Sequence, residues 1–449
     1  MICVARRLLI MAHPQEDLTM RRFALLAIAA APALVACGSS PDATPFEVAK
    51  SSLVREARSA PAGDIETLAK DGASFAMDLY AHTAAKGADT ENAIFSPHSI
   101  QVALAMTSAG ARGQTEKDIA TAMHWSLPQQ QLHPAMNALD QALASRGQNA
   151  KGADGKPFRL QVTNTTFGQK GYPFEQPFLD VLAKHYGAGV GLVDFIEQRE
   201  QARSVINKWA SDKTEGRIEQ LIPENALTKD TRLVLVNAVY FNGAWATPFP
   251  DGNTANKEFT RLDGTKIQVP TMTSDPASLP YLSTETLEAV ELPYDGGEVS
   301  MVVVAPRAGF KAWEKGFDGK AALDVMAGLK ETEVQVSLPK FEIKGATVRL
   351  KEPLSAMGMA AAFDDRADFT GIVPATVDQL RIEEVLHKAF VKVDEKGTEA
   401  AASTAVIVGR LTAAPADPRP VRIDRPFVFF LRDRPTNTIL FVGRVVSPS

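Results

Sequence analysis

The stretch Asp394-Glu395-Lys396-Gly397-Thr398-Glu399-Ala400-Ala401-Ala402-Ser403-Thr404-Ala405-Val406-Ile407-Val408 changes its chemistry in order along the chain. Charge comes first, then a glycine, then small residues, then a β-branched run. Read with the period of two that a strand imposes, Thr398, Ala400, Ala402, Thr404, Val406 and Val408 share one face. That face is small, then apolar, so a sheet can bury it. Glu399, Ala401, Ser403, Ala405 and Ile407 fall on the other face. The run breaks at Gly409-Arg410-Leu411-Thr412 and passes into Pro415, Pro418 and Pro420. Prolines at that density do not belong to a central strand, so the second half reads as an exposed loop. The first half has two available fates: it stays exposed, or it enters a sheet as an added strand. The plainer alternative is an Ala-rich linker, or an ordinary strand running into a loop.

The rest of the chain supplies the sheet. Leu233 to Phe241 is nearly all apolar and β-branched, the pattern of a strand buried on both faces. Val299 to Ala305 is similar, and Val334 to Leu338 alternates. Phe427 to Arg432 and Ile439 to Val446 flank Pro435-Thr-Asn-Thr438, a hairpin signal. Helical spacing appears earlier. Leu68, Phe75, Ala76 and Leu79 predict a helix over 66–86. Ser96 and Pro97 pair an N-cap with a proline at the first helical position, and Gly110 is the expected C-cap. Thr115 with Asp118 reads as a second, weaker capping pair. A β segment is predicted over 158–168. Helices first and sheets later imply an α+β fold with large mixed sheets.

Length and composition agree. The 449 residues are 45% hydrophobic and 22% charged, which excludes a disordered or collagen-like chain. A net charge of −5 argues against a dedicated nucleic-acid binder. Two cysteines, Cys3 and Cys37, exclude a disulfide scaffold and a multi-cysteine metal site.

The first residues read as an address. Met20-Arg21-Arg22 is a basic start, Phe23 to Ala36 is apolar, and Cys37 follows. The apolar run is short for a membrane span, so residues 1–36 are expected to be a signal peptide. Residues 1–19 read as an upstream extension, with Met20 as the alternative start. Leu34-Val35-Ala36-Cys37 resembles the bacterial lipobox, in which the cysteine is lipidated and becomes the first mature residue. Residues 37–65, rich in Ser, Pro and Ala, are expected to be a flexible tether, with an ordered N-terminal arm as the alternative. Residues 66–449 form one large domain. The expected location is the bacterial cell envelope, lipid-anchored on its periplasmic or extracellular face.

Catalytic motifs are missing. The chain has no His-Glu-x-x-His, no Gly-x-Ser-x-Gly and no P-loop. Gly187, Gly189 and Gly191 follow a helical stretch, not a strand, so they read as a turn. Seven histidines are scattered without ligand spacing. No metal or organic cofactor is implied, and the chain reads as a non-enzyme, with a lipoprotein hydrolase as a weak competitor.

The stretch Glu395 to Thr404 resembles the reactive-centre-loop hinge of the serpins, the serine protease inhibitors. Further stretches resemble that family's motifs in order. They are Asn92-Ala-Ile-Phe-Ser-Pro-His-Ser-Ile100, Ile206-Asn-Lys-Trp209, Thr214-Glu-Gly-Arg-Ile218 and Leu235-Val-Asn-Ala-Val-Tyr-Phe-Asn-Gly-Ala-Trp245. Then come Leu338-Pro-Lys-Phe341, Asp368-Phe-Thr-Gly371, Val385-Leu-His-Lys-Ala389, Arg425-Pro-Phe-Val-Phe429 and Phe441-Val-Gly-Arg-Val445.

The resemblance implies a serpin-like fold: a large mixed central sheet, further sheets, eight or nine surrounding helices, and an exposed loop near the C-terminus. It implies a monomeric suicide substrate. A serine protease attacks the loop, forms an acyl-enzyme, and is trapped when the cleaved loop inserts into the central sheet. By the same resemblance, Glu395, Gly397, Thr398, Ala400, Ala402 and Thr404 form the hinge. Lys340, Glu395 and Trp245 sit where the sheet opens. Ser96, Ser99, Asn237 and His387 form a polar gate under the sheet's centre; ordinary satisfied core polars are the plain alternative. The family's spacing selects Leu411–Thr412 as the reactive bond, which suits a chymotrypsin- or elastase-like protease. Arg410–Leu411 is the alternative, suited to a trypsin-like pocket, and a subtilisin-like partner also stays open. The loop is a few residues longer than the family's usual one. A non-inhibitory binding or chaperone protein of the same fold is the competing function.

Overall fold

Strand Leu233–Ala244 organises the molecule. Its alternate side chains serve two different cores. Leu235, Val239 and Phe241 join the main core between the sheets, whereas Val234, Val236 and Ala238 pack against Ile206 and Trp209 of helix Arg199–Lys213. Both faces are covered, so a nearly continuous apolar run is the right sequence for it. These relations come from a computed structural model that describes residues 45–398 and 417–448.

On one side this strand pairs antiparallel with Arg159–Gln169, and on the other it pairs parallel with Glu384–Asp394. The first sheet runs in the order Glu47–Ala49, Val190–Val193, Arg159–Gln169, Leu233–Ala244, Gly397–Thr398, Glu384–Asp394, Phe341–Lys344. Val348–Arg349 also joins Glu384–Asp394. A second sheet holds the hairpin Phe427–Asp433 and Thr438–Val445, with Val299–Pro306 and Leu287–Pro293 beside it. Strand Arg419–Arg422 lies parallel to Lys330–Pro339 in the same sheet.

Helix Pro97–Ser108 is buried along its whole length. It packs against strands of both sheets, Leu233–Ala244 in one and Thr438–Val445 in the other. Its start is as the sequence predicts, with the Ser96 hydroxyl accepting from the Ser99 amide. Helix Ala62–His82 buries Leu68, Phe75, Ala76 and Leu79 together. Nine α-helices are present among the described residues, and the fold is the predicted α+β type.

Three local expectations are corrected. Gly110 does not cap by a left-handed turn; the cap residue is Ala109. Gly110 is needed for space instead, since a Cβ there would lie 2.1 Å from Ile372 Cγ1. Thr115 is not an N-cap. Its helix starts earlier, at Gly113, because Arg112 is already fixed by donating its amide to Asp368 O. The Thr115 hydroxyl accepts from the Asp368 amide at 2.8 Å. The tether expected over 37–65 is not free over its described part. Glu47–Ala49 is an edge strand paired with Val190–Val193, and Arg55 bonds Asn137 and Asp140. Helix formation then starts at Ala62. The ordered arm, the alternative reading, is the one found, because a short β-forming run meets an open sheet edge.

Candidate functional site: the hinge and the strand seam

The parallel pair Leu233–Ala244 and Glu384–Asp394 is bonded in register from Val234–Glu384 to Val239–Ala389. Above that the two strands part. Gly397 and Thr398 lie between them, antiparallel to both: Thr398 faces Val393 on one side and Gly243 on the other. The hinge therefore already occupies the first rungs of a slot between two strands.

The chemistry of these two residues fits the place. Thr398 is fully buried, and its hydroxyl hydrogen-bonds the Tyr294 hydroxyl at 2.6 Å. Gly397 has φ +154°, and a Cβ there would meet Gly243 O at 2.1 Å. Only glycine passes the chain through at that point.

The residues around the turn hold it from several elements. Lys340 donates to both oxygens of the Glu395 carboxylate, at 2.8 and 3.1 Å. Thr254 donates its hydroxyl to the same carboxylate at 2.7 Å. Burial works to raise the Glu395 pKa, but the Lys340 ammonium and the Thr254 hydroxyl outweigh it and hold the carboxyl below its usual range. Phe249 donates its amide to Glu395 O, and Trp245 donates its amide to Lys396 O. The Trp245 indole donates to the Asp394 carbonyl at 2.9 Å and stacks on Tyr294 with centroids 4.5 Å apart. Burial pushes the Asp394 carboxyl up.

Lower on the seam lies a buried polar chain. His387 stands opposite Asn237 in the parallel register. The Ser96 amide donates to His387 Nε2 at 3.0 Å, so the ring proton sits on Nδ1 and points to Asn237 Oδ1. Asn237 Nδ2 donates in turn to Asn164 Oδ1, which also accepts from the Ser99 hydroxyl at 3.0 Å. The chain thus joins both strands of the seam to strand Arg159–Gln169 and to the buried helix. Burial lowers the His387 pKa to about 3, so the imidazole is neutral at ordinary pH.

The four residues Ser96, Ser99, Asn237 and His387 are brought together, as are Lys340, Glu395, Gly397, Thr398 and Trp245. Ala400, Ala402 and Thr404, the bonds Leu411–Thr412 and Arg410–Leu411, and Cys37 lie outside the described residues. Sequence reading missed Asn164, Thr254 and Tyr294. Asn164 carried a signal, being a poor strand former in mid-strand beside threonines. Tyr294 and Thr254 carried none, because their partners lie more than a hundred positions away. Among the described residues, no three His, Cys, Asp or Glu side chains are placed to hold a metal ion.

Comparison with known proteins agrees with this architecture. The family model described as Serpin (serine protease inhibitor) matches residues 70–448. A serpin-like protein of Thermococcus kodakarensis is 36% identical over 377 residues, covering 84% of each chain. Antithrombin-III of Homo sapiens is 34% identical over 85% of this chain and 82% of its own. Leukocyte elastase inhibitor A of Mus musculus is 33% identical over 86% of this chain and all of its own. The crystal structure of the thermophilic serpin Tengpin in its native state superposes with a TM-score of 0.76 at 28% identity, covering 89% of this chain and 97% of the other.

Proposed function

The chain belongs to the serpin family, whose members are in general protease inhibitors and not catalysts, and from that premise we propose that it is itself an inhibitory suicide substrate of a serine protease. The protease serine attacks the carbonyl carbon of the reactive bond and forms an ester. The amine of the following residue leaves with the C-terminal segment. The freed hinge then continues down the slot as a new strand and carries the acylated protease with it before water can hydrolyse the ester.

The observation that carries this reading is the placement of Gly397 and Thr398 between two parallel strands that are still bonded below them. Insertion extends a pairing that has begun. The residues that follow on the Thr398 face are Ala400, Ala402 and Thr404, which enter a packed interior without overfilling it or burying a charge. Leu411 before the bond favours an apolar specificity pocket of chymotrypsin or elastase type. Arg410 in that role would select a trypsin-like pocket with a carboxylate.

We also infer that Cys37 carries a lipid and holds a monomeric inhibitor at the bacterial envelope. Inhibition is tested with Thr398→Arg. Arginine at this buried position opposes insertion, so the variant is cleaved and released as a substrate. An SDS-stable protease complex formed by Thr398→Arg as efficiently as by the wild type would refute strand insertion.

A further inference from the structure

On the outer face of the first sheet lies a cleft of about 560 Å³ that the mechanism above does not use. Its floor is formed by alternate residues of Glu384–Asp394, namely Lys388, Phe390 and Lys392. Lys344 and Glu342 of the neighbouring strand stand opposite Phe390 and Lys392. Its roof is the segment 216–220, with the Arg217 guanidinium 5.8 Å from the Phe390 ring centroid. Three lysines of two strands, Lys344, Lys388 and Lys392, therefore converge on the cleft below Arg217, and its lining also holds two carboxylates, Glu219 and Glu342. Glu342 is already taken by Lys344 at 2.8 Å.

The remaining demand for negative charge is specific. Among the described residues, neither Lys388 nor Lys392 has a carboxylate at ion-pair distance. Lys388 is half-buried, and its ammonium donates to a backbone carbonyl, Gln220 O, at 3.1 Å. That partial burial depresses its pKa, against the opposing pull of Glu219. A desolvated ammonium with a neutral acceptor gains most from an anion placed beside it, because charge-assisted bonds are the strong ones.

We propose that this cleft is a binding site for a small multivalent oxyanion, held by Lys344, Lys388 and Lys392 from the sheet and by Arg217 from the roof. The shared chemistry is a compact array of anionic oxygens, carried by a polyphosphate or by a polycarboxylate. The site has a consequence that rests on the insertion reading. The roof continues from helix Arg199–Lys213, and its Ile218, Leu221 and Ile222 pack on Val234, Val236 and Ala238. It crosses the seam to reach Lys388. An anion bonded to roof and floor ties together the two halves that insertion must separate, and so slows insertion.

The test is calorimetric titration of the purified protein at low salt with inorganic pyrophosphate and, separately, with citrate. One saturable site is expected, with affinity lowered at least about tenfold in Lys392→Gln and in Lys388→Gln through loss of one charge-assisted contact. Lys320→Gln, whose exposed side chain pairs with Asp324, should bind as the wild type does. Saturation by pyrophosphate alone assigns the phosphate class, and saturation by citrate alone the carboxylate class; either supports the site. Among the described residues the Lys392 side chain makes no hydrogen bond or ion pair, so its variant stays interpretable if Lys388→Gln unfolds. No saturable binding of either anion, or unchanged affinity in Lys392→Gln, overturns the site. Binding is read without a protease, so this outcome is independent of the inhibitory reading. With the site filled, a larger share of loop-cleaved protein relative to covalent complex is expected; binding with an unchanged share overturns the coupling.

Discussion

At the residue scale, two groups of the same seam lose stability in acid, in different pH windows. Glu395 is held below the ordinary carboxylate range by Lys340 and Thr254. Its contribution is present above the unfolded value, about 4.3, and is lost as pH falls through the depressed folded value. Glu395→Gln should therefore lower the melting temperature at pH 7, by an amount equivalent to about 1 kcal/mol or less because Lys340 is partly exposed. The difference from wild type should shrink below about pH 4.3. A difference that persists unchanged at pH 3.5 would show that the charge pair is not its source. His387 acts in the same direction but in a higher pH window. Burial holds it neutral down to about pH 3, whereas the unfolded imidazole takes up a proton below about pH 6.5. Stability therefore falls as pH drops from about 6.5 toward 3, by up to about 1.4 kcal/mol per pH unit for this one proton. His387→Gln should be less stable at pH 7 yet lose less on going to pH 5, as thermal melts at the two pH values would record. An equally steep loss would place the proton uptake elsewhere, at the buried His98 or His133.

At the element scale, Gly397–Thr398 is one of two two-residue strands among the described residues and the one on which the proposed function depends. Its position needs a glycine at the turn. Gly397→Ala pushes a methyl into the Gly243 carbonyl and should cost about 1–3 kcal/mol, or else expel the pair from the slot. Thermal melting measures the first outcome, and loss of protection of the Thr398 amide from hydrogen exchange the second. Neither change would mean that the seating of Gly397 is not tight. How much of this was legible in sequence follows from range. Charge, glycine, small residues and β-branched residues in order were readable on the chain, as was Ser96–Pro97, because caps and periodicity act over a few residues. Asn164, Thr254 and Tyr294 were not read, because strand neighbours are chosen by the sheet and not by the chain. The arm at 47–61 was read as tether for the same reason. A three-residue strand has no period to detect until an open edge is set beside it.

At the scale of the whole molecule, the central sheet is closed from Glu384 to Ala389 and parted above Ala389. Gly397 and Thr398 lie in the part where the two strands are separated. Under the proposed mechanism, cutting the loop lets the residues after Thr398 extend that pairing. The polar chain through Asn164, Asn237 and His387 holds the closed part while every member stays satisfied. Asn164→Ala leaves two partners short of an acceptor, so it should lower the melting temperature by an amount equivalent to about 1–3 kcal/mol. An unchanged melting temperature would remove Asn164 from the gate.

The most direct measurement is incubation of the protein with chymotrypsin, elastase, subtilisin and trypsin, followed by a denaturing gel and intact mass. A covalent complex with at least one protease is predicted, together with a released C-terminal peptide that begins at Thr412. A peptide beginning at Leu411 would move the reactive bond to Arg410 and leave the mechanism intact. Cleavage within the loop by these proteases with no covalent complex from any of them would contradict trapping by strand insertion and favour a binding or chaperone role for the same fold.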